Sequence, residues 1–99
     1  MADQPSYFLA LIDIEDPATY DRYLAGFDRI FADYQGEVMV VDDAPEVLEG
    51  DWPARRTVLI RFPSRRELRR WYTSPDYQAI ARYRRSASRS RVAVLAGRY

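Results

Sequence analysis

The chain has 99 residues with 15 acidic and 15 basic side chains, so its formal net charge is zero. It contains no cysteine, histidine or lysine, which excludes disulfides, a Ser–His–Asp triad, zinc sites built on thiolate or imidazole, and Schiff-base chemistry. No apolar run is long enough to cross a membrane and no secretory signal opens the sequence, so we expect one cytoplasmic domain over residues 1–99.

The first predicted element is an apolar strand, Tyr7–Ile14, whose side chains alternate between two faces. One face carries Phe8, Ala10, Ile12 and Ile14, and the other carries Tyr7, Leu9, Leu11 and Asp13. A strand that is apolar on both faces is covered on both faces in the folded protein. The helices of one chain cover only one of these faces, so we expect the other face to pack against a second copy of the chain.

A helix is predicted to follow this strand, with Asp16 as its N-cap and Pro17 in the first helical position. Aromatic and aliphatic side chains then recur at spacings of three and four residues, which is the period of one apolar helical face. These side chains are Tyr20, Tyr23, Leu24, Phe27, Ile30, Phe31 and Tyr34. Gly36 is the candidate C-terminal cap.

The middle of the chain predicts extended segments separated by turns. A short strand over Glu37–Val41 precedes a turn at Asp42–Pro45, and extended structure resumes over Glu46–Glu49. A second turn over Gly50–Pro53 leads to a strand over Thr57–Phe62.

The last third of the chain predicts a helix and a strand. Ser64 and Glu67 have the spacing of a capping box, which marks the start of the helix. Pro75 interrupts its apolar pattern, so we expect the helix to be bent or split. A final strand is predicted over Arg91–Ala96.

This order of elements repeats strand–helix–strand twice. It predicts an α+β fold, the ferredoxin-like β-α-β-β-α-β sandwich, with a four-stranded antiparallel sheet and two helices on one face. The second face of that sheet carries Leu9, Leu11 and Leu59, and it predicts a homodimer formed through the sheet faces.

The charges are segregated along the chain. Residues 1–53 carry 13 acidic and 2 basic side chains, whereas residues 54–99 carry 2 acidic and 13 basic ones. The arginine run of Arg65, Arg66, Arg69 and Arg70 is compatible with nucleic-acid binding or with a solvated, acid-paired helix face. No recognition motif accompanies the run and the acidic half repels phosphate, so we expect no nucleic-acid partner.

Several short motifs resemble one known family. They are the segment Val47–Trp52 with its Leu-Glu-Gly, the strand Val58–Ser64 ending in Phe-Pro-Ser, and the Trp71-Tyr72 pair followed by Ser74-Pro75-Asp76-Tyr77-Gln78. Together with the Asp16-Pro17 helix start they are similar to the DUF1330 family, a bacterial group of about this length with no assigned general function.

The resemblance implies the dimeric α/β-barrel superfamily, in which two ferredoxin-like subunits join their sheets into a barrel with pockets between sheet and helices. Relatives there include cofactor-free monooxygenases, isomerases, cyclases, haem-degrading enzymes and stress-induced proteins. Kinship at the level of the fold does not transfer a reaction. We expect no cofactor for this chain.

Three charged residues are candidates for catalysis. Glu49 lies in the Leu-Glu-Gly segment, and a carboxylate beside Trp52 is suited to act as a general base; the alternative is a strand-edge carboxylate paired with an arginine. Arg61 is the candidate to orient an anionic group, and Asp13 is a further candidate. Both lie on the predicted dimer face, where a cross-subunit salt bridge is the alternative, and antiparallel pairing places Arg61 near Tyr7 rather than near Asp13.

Aromatic residues are the candidate ligand-binding set. Such side chains line a pocket or simply fill the core, and Trp52, being in a turn, is suited to a lid or an interface. The set is Trp52, Tyr20, Tyr23, Trp71, Tyr72 and Tyr77. The acidic turn with Asp42, Asp43 and Glu46 is a weak pattern for magnesium, because acidic turns also serve solubility, so we expect no metal.

The sequence therefore predicts a protein that binds a small organic molecule. If it is an enzyme, the reaction is cofactor-independent proton-transfer chemistry, such as oxygenation, isomerisation or cyclisation. The alternative is a non-catalytic binding or stress-associated dimer whose pocket is filled by packing. A cavity of roughly 300 Å³ or more bordered by Glu49, Trp52 and Arg61 is expected for the first hypothesis.

Overall fold

The computed structural model of the protein describes residues 4–98, and seven helices and strands follow one another along this range. They are β1 (Ser6–Ile14), α1 (Pro17–Phe31), β2 (Glu37–Asp42), β3 (Arg56–Phe62), α2 (Arg65–Tyr72), α3 (Pro75–Ala87) and β4 (Ser88–Ala96).

The strands form one antiparallel sheet in the order β2-β3-β1-β4. This is the predicted ferredoxin-like sheet, and the predicted interruption near Pro75 is confirmed because the second helical segment is divided into α2 and α3. Tyr7 of β1 is opposite Arg61 of β3, as the antiparallel pairing predicted, while Asp13 is opposite Arg89 of β4. The pairing of β2 with β3 is irregular between Val38 and Val40.

Short polar side chains start each helix. The Asp16 carboxylate accepts a hydrogen bond from the Thr19 N–H at 3.2 Å, the Ser64 hydroxyl accepts from the Glu67 N–H at 3.1 Å, and the Ser74 hydroxyl accepts from the Tyr77 N–H at 3.1 Å. Each bond satisfies one of the free N–H groups of a first helical turn. The N-caps predicted at Asp16 and Ser64 are therefore confirmed.

Other local predictions were wrong. The C-cap of α1 is Ala32 rather than Gly36, and Gly36 instead lies against the rings of Phe31 and Phe62, where a Cβ atom would collide. Glu46–Glu49 forms no strand and belongs to the loop between β2 and β3. The Glu67 carboxylate accepts from the Gln35 N–H at 2.9 Å and from Arg70, and so takes partners other than the Ser64 N–H expected of a capping box.

An aromatic cluster centred on Trp71 of α2 joins the helices to the sheet. The Trp71 side chain is fully buried, with ring centroids 4.1 Å from Tyr77, 5.1 Å from Phe8 and 5.3 Å from Phe62. Aromatic side chains bury large areas, and edge-to-face pairs add to that burial. This cluster is the main packing contact at one end of the molecule.

The opposite face of the sheet has no helix on it within residues 4–98. Leu9, Leu11 and Leu59 point to this face and are half-buried, while Val40 and Leu95 of the outer strands are exposed. The helix-facing residues of the same strands, such as Phe8 and Ile60, are buried. The centre of this face is thus apolar, and charged residues such as Asp13, Arg61 and Arg91 lie around it.

The segregated charges are partly neutralised inside the chain. Arg56 pairs with Asp43 at 2.6 Å, and Arg89 pairs with Glu15 at 3.2 Å, so both ion pairs join the acidic half to the basic half. Arg70 of the arginine run pairs with Glu67 at 2.8 Å. None of the helices between residues 4 and 98 has the length and apolar character that crossing a bilayer requires.

Replacing Trp71 by alanine is expected to lower the free energy of unfolding by about 3–5 kcal/mol, because the buried ring leaves a cavity. Trp52 is the matched control: it is 45% exposed and its indole N–H donates to the Thr57 hydroxyl at 2.9 Å. Trp52→Ala is expected to cost about 1 kcal/mol or less. Urea unfolding followed by circular dichroism at one protein concentration measures both losses, and equal losses would contradict the assignment of the core.

Candidate functional site

A cavity of about 330 Å³ lies between the sheet and helices α1 and α3. Ala10, Ile12 and Ile60 form its floor, and Tyr20, Tyr23 and Leu24 form its wall on α1. The small side chain of Ala10 leaves space between β1 and the helices. The Trp71 cluster does not fill this space. The cavity is mostly apolar, with a few polar groups at defined places.

Arg84 of α3 contributes to the wall of this cavity, although only 1% of the residue is exposed. Its Nη1 donates to the Ser90 hydroxyl at 2.7 Å, and its Cζ lies 5.8 Å from the centre of the Tyr23 ring. Nε and Nη2 have no hydrogen-bond partner among the described residues. No carboxylate within residues 4–98 pairs with this guanidinium.

Two phenols lie beside Arg84. The hydroxyls of Tyr23 and Tyr77 share a hydrogen bond of 2.9 Å, and both side chains are buried. Burial raises the pKa of each phenol well above its ordinary value, although Arg84 opposes the shift. Both phenols therefore keep their protons at neutral pH and serve as hydrogen-bond donors or acceptors rather than as bases.

The charge of Arg84 persists in this environment. Burial opposes the charge of the guanidinium, but an arginine side chain is not deprotonated in proteins and therefore stays a cation here. The cavity wall thus contains a permanent cation with two nitrogen donors that lack partners.

An ion pair borders the cavity on the side of β3. Arg56 Nε donates to Asp43 Oδ1 at 2.6 Å and Nη2 donates to Oδ2 at 3.1 Å, while the guanidinium lies 5.6 Å from the centre of the Tyr20 ring. The hydrogen bonds from Arg56 lower the pKa of the Asp43 carboxyl. Tyr20 and Arg56 also line a second cavity of about 380 Å³, so the ion pair stands where the two cavities meet.

Of the six predicted ligand-binding aromatics, two line the first cavity and Trp52 borders a separate depression. Tyr20 and Tyr23 are the two that line the cavity directly. Tyr77 contacts Tyr23, and Trp71 and Tyr72 pack in the aromatic cluster beside it. Contact of any of these residues with a ligand stays a prediction.

The predicted catalytic residues are not gathered in one place. Glu49 is exposed in the loop between β2 and β3 and is not part of the wall of the sheet–helix cavity. Arg61 is half-buried on the open sheet face, opposite Tyr7 and Glu37. Asp13 accepts a hydrogen bond from the Arg55 N–H at 3.3 Å and shares a shallow depression of about 400 Å³ with Trp52. The structure therefore does not bring Glu49, Trp52 and Arg61 around one cavity, and their roles stay predictions.

The arginines of the cavity were not among the predicted site residues. Arg84 does have a signal in the sequence, because it continues the inner face of α3 after Tyr77 and Ala81, where an apolar side chain is expected. Arg56 has no such signal. Of the acidic turn, Asp43 pairs with Arg56, and the described part of the chain has no group of three side chains arranged to hold a metal ion.

The free energy of unfolding is expected to fall as the pH rises above about 10, because the unfolded chain ionises Tyr23 and Tyr77 at their ordinary pKa while the folded chain keeps them neutral. The stabilisation is fully present below that pH, and each buried phenol contributes a slope of about 1.4 kcal/mol per pH unit above it. Tyr23→Phe is expected to make the decline shallower in urea titrations.

Tyr83→Phe is the control for this titration. The hydrogen bond from Arg82 lowers the pKa of Tyr83, so removing this phenol does not make the decline of stability with pH shallower. A Tyr23→Phe protein whose stability falls as steeply as that of the wild type would contradict the assignment.

The fold is shared with several solved structures. RPA0582 of Rhodopseudomonas palustris, a protein of unknown function, superposes with a TM-score of 0.78 at 18% identity over 94% of this chain and 82% of that chain. SnoaB of Streptomyces nogalater, a cofactor-independent oxygenase, gives a TM-score of 0.63 at 16% identity over 97% and 95%. A hypothetical Arabidopsis thaliana protein, AT3G17210, gives 0.71 at 13% identity over 99% and 92%.

At these identities the similarity shows the fold alone, and it confirms the fold class predicted from the sequence. No protein with a curated function matches this sequence closely enough to count as a relative. A family model described as a domain of unknown function matches residues 5–98, which is nearly the whole chain. The chain belongs to the DUF1330 family.

Proposed function

We propose that this protein binds a small, largely apolar organic molecule in the cavity between the sheet and helices α1 and α3. The observation that carries the proposal is the cavity itself, with a volume of about 330 Å³ and a wall built mainly of aliphatic and aromatic side chains. Sites for small organic ligands have this size and this composition, with a few polar groups that fix the orientation. The phenol of Tyr23 and the guanidiniums of Arg56 and Arg84 supply such groups.

We propose proton-transfer chemistry without a cofactor as a second function of the same site. Its support is the fold shared with SnoaB, an oxygenase that works without a cofactor; the phenols of Tyr23 and Tyr77 beside the cavity supply hydrogen bonds that orient a substrate, and no base. A shared fold does not carry a reaction by itself. The rival is a non-catalytic binding or stress-associated dimer whose pocket is filled by packing, and it needs no base. Glu49, Arg61 and Asp13 do not line this cavity, so their proposed roles do not follow from it.

We also propose that the protein is a homodimer formed through the open faces of two sheets, as the sequence predicted. The support is the row of apolar side chains at Leu9, Leu11 and Leu59, which no helix covers within residues 4–98. Leu48, in the loop between β2 and β3, is a further exposed apolar side chain, with 84% exposure. Apolar patches of this kind mark interfaces between protein chains. A location in the cytoplasm stays a prediction.

Filling the cavity is expected to abolish ligand binding. Val58 of β3 lines the cavity and is half-buried, so Val58→Trp places an indole in the space that a ligand would occupy. The neutral bicyclic probe 2-naphthamide is expected to raise the melting temperature of the wild type and not that of Val58→Trp. A ligand present at 100 times its Kd adds about 2.7 kcal/mol of stability.

Val94→Trp is the matched control, because Val94 is on β4 and outside the cavity wall. It is expected to respond to 2-naphthamide like the wild type. A response of the Val58→Trp protein equal to that of the wild type would place the binding elsewhere.

A charge on the open sheet face is expected to separate the dimer. Leu59→Glu puts a carboxylate among the apolar side chains of that face, where its burial in an interface is costly. Ala79→Glu, an exposed position on α3, is the control. Sedimentation equilibrium at micromolar concentration is expected to give a dimer for the wild type and for Ala79→Glu and a monomer for Leu59→Glu. A monomeric wild type would end the proposal.

A further inference from the structure

We propose, on the basis of the ligand site above, that the natural ligand is an organic anion whose carboxylate or comparable oxyanion pairs with Arg84. The rest of the molecule is an apolar body that fills the space above Ala10, Ile12 and Ile60. The sheet–helix cavity would then select a class of compound, small aromatic or alicyclic carboxylates, rather than apolar molecules in general.

The first argument is energetic. Arg84 is 1% exposed and keeps its charge, yet only Nη1 has a hydrogen-bond partner, the Ser90 hydroxyl. A buried cation without a counter-charge is costly, and buried polar groups are otherwise paired almost without exception in folded proteins. A ligand that supplies the missing negative charge accounts for an arginine at a position of α3 that an aliphatic side chain would fill at lower cost.

The second argument comes from the geometry of the other arginines. Arg56 holds the Asp43 carboxylate through Nε and Nη2, at 2.6 Å and 3.1 Å. Arg70 holds the Glu67 carboxylate through the same two nitrogens, at 2.8 Å each. Nε and Nη2 are the two nitrogens of Arg84 that have no partner within residues 4–98. The Nε–Nη2 edge of a guanidinium is thus the edge that binds a carboxylate side-on in this protein. In Arg84 this edge has no partner, and we infer that it binds the ligand.

The third argument is the charge around the cavity. Arg56 is already neutralised by Asp43, so Arg84 is the cavity-wall cation that lacks an ion-pair partner in the described part of the chain. The other carboxylate of the wall, Asp28, is exposed on α1. The Nε and Nη2 atoms of Arg84 are buried and the Tyr23 ring lies 5.8 Å from the guanidinium, so this proposal requires side chains around Arg84 to move before an anion reaches it.

Calorimetric titration with a matched pair of probes tests this inference. 2-Naphthoate and 2-naphthamide have nearly the same shape, and only the first is an anion. The wild type is expected to bind 2-naphthoate at least tenfold more tightly than 2-naphthamide. Arg84→Met is expected to lose this preference and still bind the amide, whereas Arg85→Met, which removes an exposed arginine of the same helix, is expected to keep it.

Two further measurements do not depend on how well Arg84→Met folds. Arg84→Lys keeps the charge but not the fork, and it is expected to keep part of the preference. In the wild type, an arginine Nε–H signal is expected to shift in a ¹⁵N spectrum on adding 2-naphthoate and not on adding 2-naphthamide. The melting temperature of unliganded Arg84→Met is a separate check of its folding, and it is expected to equal or exceed that of the wild type, because a buried unpaired charge has been removed.

Each failure points to a different error. Equal binding of the two probes by the wild type, or an anion preference that persists in Arg84→Met, overturns the role of Arg84 and leaves the proposed ligand site standing. Binding of neither probe by the wild type overturns the ligand site and this inference with it. A large loss of melting temperature in Arg84→Met together with unchanged selectivity shows that the arginine serves only the packing of α3.

Discussion

The packing of α2 onto one end of the sheet determines where the protein has space for a ligand. Trp71, Phe8 and Phe62 fill the space between α2 and the sheet completely. Farther along β1 the small side chain of Ala10 leaves space beside α1, and buried core residues there also line the cavity. The space between helices and sheet is thus divided between the aromatic cluster and the cavity, with Phe8 belonging to both.

The same division explains the polar groups. Tyr23, Tyr77 and Arg84 are at the border between the aromatic cluster and the cavity, where burial is nearly complete but partners are few. The two phenols satisfy each other, and Arg84 is only partly satisfied by Ser90. The site therefore contains one buried charge without a counter-charge, that of Arg84. The charge of Arg56, on the β3 side of the cavity, is neutralised by Asp43.

Much of the fold could be predicted because its signals are local. Asp16, Ser64 and Pro75 mark the helix boundaries through the chemistry of the first helical turn, and the alternation in β1 sets both faces of the sheet. The boundaries that were missed depend on distant partners. β4 begins at Ser88 rather than Arg91 because Ser88 and Ser90 continue the ladder with β1, although their side chains carry no strand pattern.

The site was less predictable because it, too, depends on residues that are distant in the sequence. Helical spacing brought Tyr20 and Tyr23 into the candidate set, and both line the cavity. The importance of Arg84 lies in which partners it lacks, and that becomes visible only when α1, which is distant in the sequence, packs beside α3. Glu49 was chosen for its neighbours in sequence, and the loop that carries it does not fold against the cavity wall.

The strand order has a consequence for how the chain can be made. β1 lies between β3 and β4, so both of its hydrogen-bonding neighbours come from the arginine-rich half of the sequence. While the ribosome has synthesised only residues 1–53, the first strand has no neighbour and the nascent segment carries 13 acidic side chains against 2 basic ones. Repulsion among these acidic side chains opposes collapse of the segment, and β1 gains its first neighbour only when Arg56–Phe62 has been translated.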